Sequence, residues 1–300
     1  MIKHMACVPN FSIGNDSTAV RALVAAANRQ IGVTVMHHSS DPDHNRCVIA
    51  LLGAPDAIEN AAVNLCATAS GMIDLTAHQG AHPRMGATDV IPFVPVRNVT
   101  MEECVQTSKS VGAKIWATSK IPVILYESSA TADHRRNLAD VRRGGFEGMG
   151  EKLQDPRWSP DFGDPCPHPT AGVTAVGARG PLIAFNVNLA TEDITVATTI
   201  AKTIRASSGG YPGCKAIGIA LPSQGCVQVS MNLVDYTQAP MWQVFQAISE
   251  QAKNHGVAVI ESELIGIVPA AALFDTAAHH LKLNTMFDPK VQVVEQHVWE

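Results

Sequence analysis

The chain has 300 residues, enough for two lobes rather than one layer pair, and its 46% hydrophobic content marks a globular protein, not a disordered one. A net charge of −5 argues against a broad nucleic-acid surface, which needs a basic excess. The longest apolar run, residues 265–274, is broken by Pro269 and is too short to span a bilayer, so no membrane association is expected.

Residues 5–8 read as a short strand followed by the turn Pro9-Asn10. An Ala-rich helix is predicted over 18–29 with Ser17 or Asp16 as its cap. Strands follow over 33–36 and 46–52, joined by a polar turn over 39–45. Apolar residues at helical spacing from Ile58 to Ile73 predict one long helix over 55–77. A strand is predicted over 89–96. Thr100 and Glu103 form a capping box for the next helix, and another strand is predicted over 121–126.

The same order returns beyond residue 180. Strand 182–189 precedes a helix over 191–204 capped by Thr191, and strands 216–221 and 227–233 flank the turn 222–225. A helix over 241–255, a strand over 258–260 and a helix over 269–281 complete the pattern. The reading is an α/β (α+β) fold of two βαββαβ ferredoxin-like lobes, residues 1–178 and 179–300, each with helices on one sheet face. Two such lobes could pair their bare faces or leave a ligand channel. Residues 143–180, with eight glycines and five prolines, read as a long loop that is either a linker or functional.

The seven cysteines include no C-x-x-C pair, so neither a thiol redox motif nor a zinc ribbon is indicated. Met1-Ile-Lys-His lacks the apolar stretch of a secretory signal, and a cytoplasmic location is expected. Histidines 37, 38, 44, 78 and 82 are metal-ligand candidates by residue type. Gly80 and Pro83 break any helix that would align His78 with His82, and no H-E-x-x-H occurs, so no metal is expected. Walker, G-x-S-x-G and post-strand G-x-G-x-x-G motifs are missing too. Arg135, Arg136, Arg142 and Arg143 read as a solvated basic face or a place for a polyanionic tail. Asp41-Pro-Asp-His-Asn45 reads as a surface turn, or as carboxylates that help hold a polar substrate.

The densest segment is residues 78–97. Pro83 restricts His82 to extended backbone, and Gly80 and Gly86 tighten the crossing. An imidazole titrating near neutrality beside the Arg84 guanidinium is a plausible catalytic pair.

Several motifs together resemble the glutamate formiminotransferase family: Cys7-Val-Pro-Asn-Phe-Ser12, Asn45-Arg46, His82-Pro-Arg-Met-Gly-Ala87, Asp89-Val90, Pro92-Phe93 and Pro160-Asp-Phe-Gly163. Further matches are Gly177-Ala-Arg179, Leu182-Ile-Ala-Phe-Asn186-Val-Asn188-Leu189, Gln228-Val-Ser230 and Leu264-Ile-Gly266-Ile-Val-Pro269. The resemblance covers nearly the whole chain, as the transferase portion alone. It implies transfer of a formimino group from N-formiminoglutamate to N5 of tetrahydrofolate, a co-substrate, in histidine breakdown. It also implies lobes facing each other around a folate tunnel, helices outside, and a homodimer.

The family's catalytic histidine falls on His82. Its folate-binding segment falls on Gly163, Asp164, Pro165, Cys166, Pro167, His168, Pro169, Thr170, Ala171 and Gly172. Asn10, Asn186 and Asn188, from the matched motifs, are expected to line the tunnel, and Arg84 to pair with a substrate carboxylate. The chain departs from the family pattern at Ala171, where an aromatic is expected, and at Ile13 and Ser39, where acids are usual; Asp41 could stand in for the latter. Alternatives are an N-formylglutamate donor, a folate-binding protein without catalysis, and a metal-dependent amidohydrolase.

Overall fold

Strands β1 (His4–Cys7) and β2 (Asn10–Phe11) act as one interrupted strand lying between β4 (Arg46–Gly53) and β5 (Thr88–Arg97), antiparallel to both. Strand β3 (Val33–Asp41) pairs with β4 at the sheet edge. Together they form the expected split β-α-β order, with helices α1 (Ser17–Asn28) and α2 (Pro55–Ser70) as the crossovers. The computed structural model describes residues 2–297, and the chain divides after Gly180 into two units.

The first unit then adds to this sheet. After α3 (Met101–Ser119) comes β6 (Val123–Glu127), and β7 (Thr174–Ala178) inserts between β5 and β6, parallel to both. The stretch 143–180 is therefore not one loop. It holds α5 (Gly145–Lys152), a 3-10 turn at Pro156–Trp158, and a central strand.

Apolar faces of α1, α2 and α3 bury Leu23, Ile58, Leu65, Val111 and Ile115 against Phe11, Ile49, Leu51, Ile91 and Phe93. Along β4, Cys47, Ile49 and Leu51 join this core, while Arg46, Val48 and Ala50 alternate to the other face. A second, smaller cluster joins Val90, Ile124 and Tyr126 to Val141 of α4 (Leu138–Arg142) and Met149 of α5. The expectation of helices on one face only thus fails here.

Local chemistry explains most boundaries. Asp16, not Ser17, caps α1, accepting from the Thr18 and Ala19 N–H groups at 2.8 and 3.1 Å. The Thr100–Glu103 capping box of α3 forms in both directions. Helix α2 stops at Ser70, short of residue 77. Ile73 and Leu75 continue the apolar pattern because they enter the core as loop residues, with the Leu75 N–H held by the Thr170 carbonyl at 2.9 Å. Strand β3 runs to Asp41, leaving only residues 42–45 as the turn.

The second unit is a four-stranded antiparallel sheet ordered β11 (Val259–Ile265), β8 (Ile183–Leu189), β10 (Cys226–Leu233), β9 (Cys214–Leu221). Its crossovers are α6 (Ile194–Ile204) and α7 (Met241–Asn254), and α8 (Ala270–Leu281) follows β11. This is the ferredoxin-like order. Asp193 rather than Thr191 caps α6, accepting from the Thr195 N–H at 2.9 Å. Phe185, Val187, Leu189, Val227, Val229 and Met231 face the helices, and the residues alternating with them carry amides and carboxylates on the opposite face.

Candidate active site

The segment between α2 and β5 carries His82, and backbone and side-chain contacts from four parts of the first unit fix it. The Ala81 N–H donates to the Asp43 carbonyl at 3.0 Å, Val173 N–H to the Met85 carbonyl at 3.0 Å, and Ala87 N–H to the Ala171 carbonyl at 2.9 Å. Ser12 Oγ donates to the Gly86 carbonyl at 2.8 Å. Two glycines make this approach possible. A Cβ at Gly80 would lie 2.6 Å from the His44 carbonyl, and one at Gly86 would run into the Val173 carbonyl.

Asn45 is the hub. In left-handed conformation (φ 47°), its Oδ1 accepts from the Gly14 and Asn15 N–H groups at 2.8 and 3.2 Å, and its Nδ2 donates to the Gln79 carbonyl at 2.7 Å. Asp41 works one step back, its Oδ1 accepting from the His44 N–H at 2.7 Å. In this structure it is a turn-holding residue.

His82 is half-buried, and two neighbours meet its Nδ1: the Pro83 carbonyl oxygen at 2.7 Å and Arg46 Nη1 at 3.1 Å. The carbonyl can only accept and the guanidinium can only donate, so one ring nitrogen cannot satisfy both. We assign the proton to Nδ1 on the shorter contact, which leaves Nε2 with the lone pair. Burial, then Arg46 and Arg142, hold this imidazole well below its ordinary range, with Asp89 and the Pro83 carbonyl offsetting only part.

Behind His82 lies a buried ion cluster. Asp89, fully buried, receives Arg46 Nη1 and Nη2 at 3.1 Å and Arg142 Nη2 at 2.5 Å on Oδ2, and the Met85 N–H at 2.8 Å on Oδ1. Burial alone would raise this carboxyl; the two guanidiniums and the N–H outweigh it and bring it down to about 2. Asn10 completes the cluster, its Oδ1 accepting from Arg46 Nε and Nη2 at 3.0 and 2.9 Å. Asn10 thus sits with the cluster next to His82.

The Arg84 fork is occupied. It grips Glu147 through two bonds of 2.9 and 2.6 Å, and its Nε donates to His78 Nδ1 at 3.1 Å. A substrate carboxylate would have to displace Glu147. The four arginines read as one basic face divide: Arg142 joins Asp89, and Arg135 is buried against Asp161 at 3.0 Å, while Arg136 and Arg143 are exposed. Among the described residues, no group of three or more His, Cys, Asp or Glu side chains gathers as a metal site, and no helix is long and apolar enough to cross a membrane.

The stretch 163–172 comes close to the histidine segment through its last residues. His168 and Gly172 exchange backbone bonds of 2.9 and 3.0 Å, and His168 Nδ1 accepts from the Ala171 N–H at 3.0 Å, closing a tight turn that bridges Gly86. Asp164, Pro165, Cys166 and Pro169 are exposed, and Gly163, Pro167, His168 and Thr170 are partly so. Ala171 and Gly172 are buried in this unit, Ala171 within the main core. Gly172 has to lack a side chain, since a Cβ there would run into the Met85 carbonyl.

In the second unit, Asn186 and Asn188 lie on the helix-free face of the sheet. Asn188 Nδ2 donates to Glu261 at 3.2 Å, and its Oδ1 accepts from Gln228 Nε2 at 2.9 Å; Asn186 Oδ1 accepts from the Met231 N–H at 3.3 Å. Gln228 Nε2 also reaches Glu263 at 3.3 Å, and its Oε1 is buried without a protein partner. Sequence reasoning missed Gln228 and the Arg46–Asp89–Arg142 cluster as site residues. The available signal was a charge heading an otherwise apolar strand at Arg46 and again at Asp89.

Two family models match the chain. The N-terminal subdomain of the formiminotransferase domain covers residues 4–179, and the model described simply as the formiminotransferase domain covers 184–298. A glutamate formimidoyltransferase of Streptococcus pyogenes serotype M1 is 50% identical over 298 residues, covering 99% of each chain. One of Thermoplasma acidophilum is 39% identical over 280 residues, covering 93% of this chain and 92% of the other. A formimidoyltransferase-cyclodeaminase of Dictyostelium discoideum is 40% identical over 294 residues, and the match spans 96% of this chain but 54% of that longer protein. With both halves matched in order, the chain belongs to the formiminotransferase family.

Proposed function

We propose that this chain moves the formimino group of N-formimino-L-glutamate to N5 of tetrahydrofolate, the step that feeds histidine-derived carbon into the folate pool. The observation that carries the reading is 50% identity across the full length to an enzyme named for this transfer. Both substrates are small molecules, and folate serves as a co-substrate. The reading includes a cytoplasmic homodimer that needs no metal, a catalytic unit over residues 1–178 and a second subdomain over 179–300.

His82 acts at Nε2. N5 of the folate attacks the formimino carbon, and as that C–N bond forms the N5 proton passes to Nε2. The resulting imidazolium gives this proton to the glutamate nitrogen as the second C–N bond breaks, releasing glutamate with a neutral amine. The amidinium charge of the donor ends on the 5-formimino product, so atoms and charge balance. An imidazole held below its usual range is a modest base but a strong conjugate acid, which favours the second transfer. Holding both substrates in one place supplies much of the acceleration.

Asn10, Asp41, Arg84, Asn186 and Asn188, with the exposed part of 163–170, are proposed to contact folate or donor. The test is an assay with formiminoglutamate and tetrahydrofolate, omitting each in turn. His82→Ala should fold and still bind folate while losing about 10²–10⁴-fold in turnover; turnover within about threefold of wild type removes the role from His82. N-formylglutamate turning over faster than the formimino donor would reassign the donor.

A further inference from the structure

We propose that Arg142 is a positioning residue for His82: by holding Asp89 from α4, it fixes the Arg46 guanidinium beside the imidazole and adds a second positive charge next to the ring, which stays neutral while the Pro83 carbonyl accepts from the Nδ1–H and leaves Nε2 as the reacting nitrogen. The inference rests on the reading of His82 as the residue that shuttles the proton.

The geometry is a relay of three links. Arg142 Nη2 meets Asp89 Oδ2 at 2.5 Å, and the same oxygen accepts both terminal nitrogens of Arg46 at 3.1 Å. Arg46 is further held by Asn10, and one N–H of its Nη1 is left to face His82 Nδ1 at 3.1 Å. The other oxygen of Asp89 takes the Met85 N–H, three residues beyond His82, so one carboxylate fixes both the guanidinium and the chain that carries the imidazole.

The charge count matters as much as the distances. Two guanidiniums surround one carboxylate, so the cluster carries one excess positive charge beside a half-buried ring. A salt bridge built only to hold the fold needs one partner for Asp89. The second guanidinium adds repulsion that falls on whatever cation forms next to it, and the imidazolium of His82 is that cation.

The groups that face His82 come from every neighbouring element. They are Arg46 from β4, Asp89 from β5, Arg142 from α4, and the ring of His44, 6.0 Å away between centres, from the turn before β4. On its own segment, Arg84 and His78 turn toward Glu147 and each other. Of these, Arg142 is the one whose charge can be removed while Arg46 keeps its bonds to Asp89 and Asn10.

The experiment is a pH titration of His82 by nitrogen NMR on the full-length protein without substrates, which reads the ring's protonation and tautomer directly. It is paired with the pH profile of kcat/KM. Arg142→Met should move the His82 midpoint and the acid limb of kcat/KM upward together by about half a unit or more, whereas Arg142→Lys, which keeps the charge, should move them less. Unchanged midpoints in Arg142→Met, or equal shifts in both variants, overturn the proposal. If Arg142→Met does not fold, Arg142→Gln makes the same comparison. The wild-type spectrum also decides: at pH of about 6.5, the ordinary value for imidazole, His82 must be neutral with Nδ1 protonated, and an imidazolium or an Nε2–H ring refutes the inference. Because the titration needs no substrate, a shifted midpoint combined with a fully active His82→Ala would sink the assigned function alone.

Discussion

Arg84, two residues after His82, and Glu147 of α5 face each other fork to fork, at 2.9 and 2.6 Å. The pair holds the Glu147 carboxyl down to about 2, through the Arg84 hydrogen bonds first, although Glu147 itself is largely exposed. An exposed partner of this kind is a replaceable one. Glu147→Gln should lower KM for the carboxylate-bearing donor by up to about fivefold, the range available from a surface ion pair, and Arg84→Met should raise it. Steady-state KM values for the donor check this, and no change in either variant would show that the fork stays with Glu147 throughout.

Asn45 ties three stretches of chain together with one side chain. Asn45→Ala removes bonds to Gly14, Asn15 and the Gln79 carbonyl and places a less tolerant residue at positive φ. Urea denaturation should show a loss of about 2–3 kcal/mol. Turnover should fall in parallel at temperatures where the variant remains folded, because Gln79 precedes His82 in the same segment.

Six of the seven cysteines are buried, and Cys166 is exposed. Burial pushes the Cys47 and Cys104 thiols up to about 12 and those of Cys66 and Cys214 up to about 11. A mild alkylating reagent should therefore label the native protein once, at Cys166, as read by intact mass and peptide mapping. Since Cys166 lies in the stretch proposed to meet folate, tetrahydrofolate should slow that labelling. Labelling unaffected by saturating folate would move the contact elsewhere.

Asp89 links stability to acid. Its carboxyl falls from 3.8 to about 2 on folding, so its contribution is complete above about 4 and is lost as pH drops through about 2. The His82 ring acts in the same direction at milder pH. Held below 6.5 in the folded state, it binds its proton more readily when unfolded, so stability falls as pH drops below the ordinary imidazole value. Asp89→Asn should be less stable at neutral pH and should flatten the dependence between about 4 and 2, whereas His82→Gln should flatten the dependence just below 6.5. Unfolding curves at stepped pH separate the two.

Periodicity and caps located nearly every element of both split β-α-β patterns, because α1, α3 and α7 carry their apolar spacing and end signals locally. Strand β7 escaped because Thr174-Ala-Val-Gly-Ala178 is buried on both faces and flanked on both edges. It has no alternation to read, and its small residues look like loop. The helical spacing runs on through 71–77 for the converse reason, since Ile73 and Leu75 are apolar for a tertiary cause. His82 was legible from its glycine and proline framing. Arg46, Asp89 and Arg142 were not legible as a unit: they stand 43 and 53 residues apart in the chain and meet only when β4, β5 and α4 do. The burial of Ala171 was not legible either, because it comes from contacts with chain far away in sequence.

The place of β7 has a consequence for how the protein is made. Strand β6 pairs with β7 and β5 offers it its free edge, so until about residue 178 has left the ribosome both edges wait open and apolar. Every residue from 128 to 173, including α5 and the turn at 168–172, must be threaded and set aside before that gap can close. A nascent chain halted in this interval would present two bare strand edges to its neighbours, and co-translational chaperone capture should peak there.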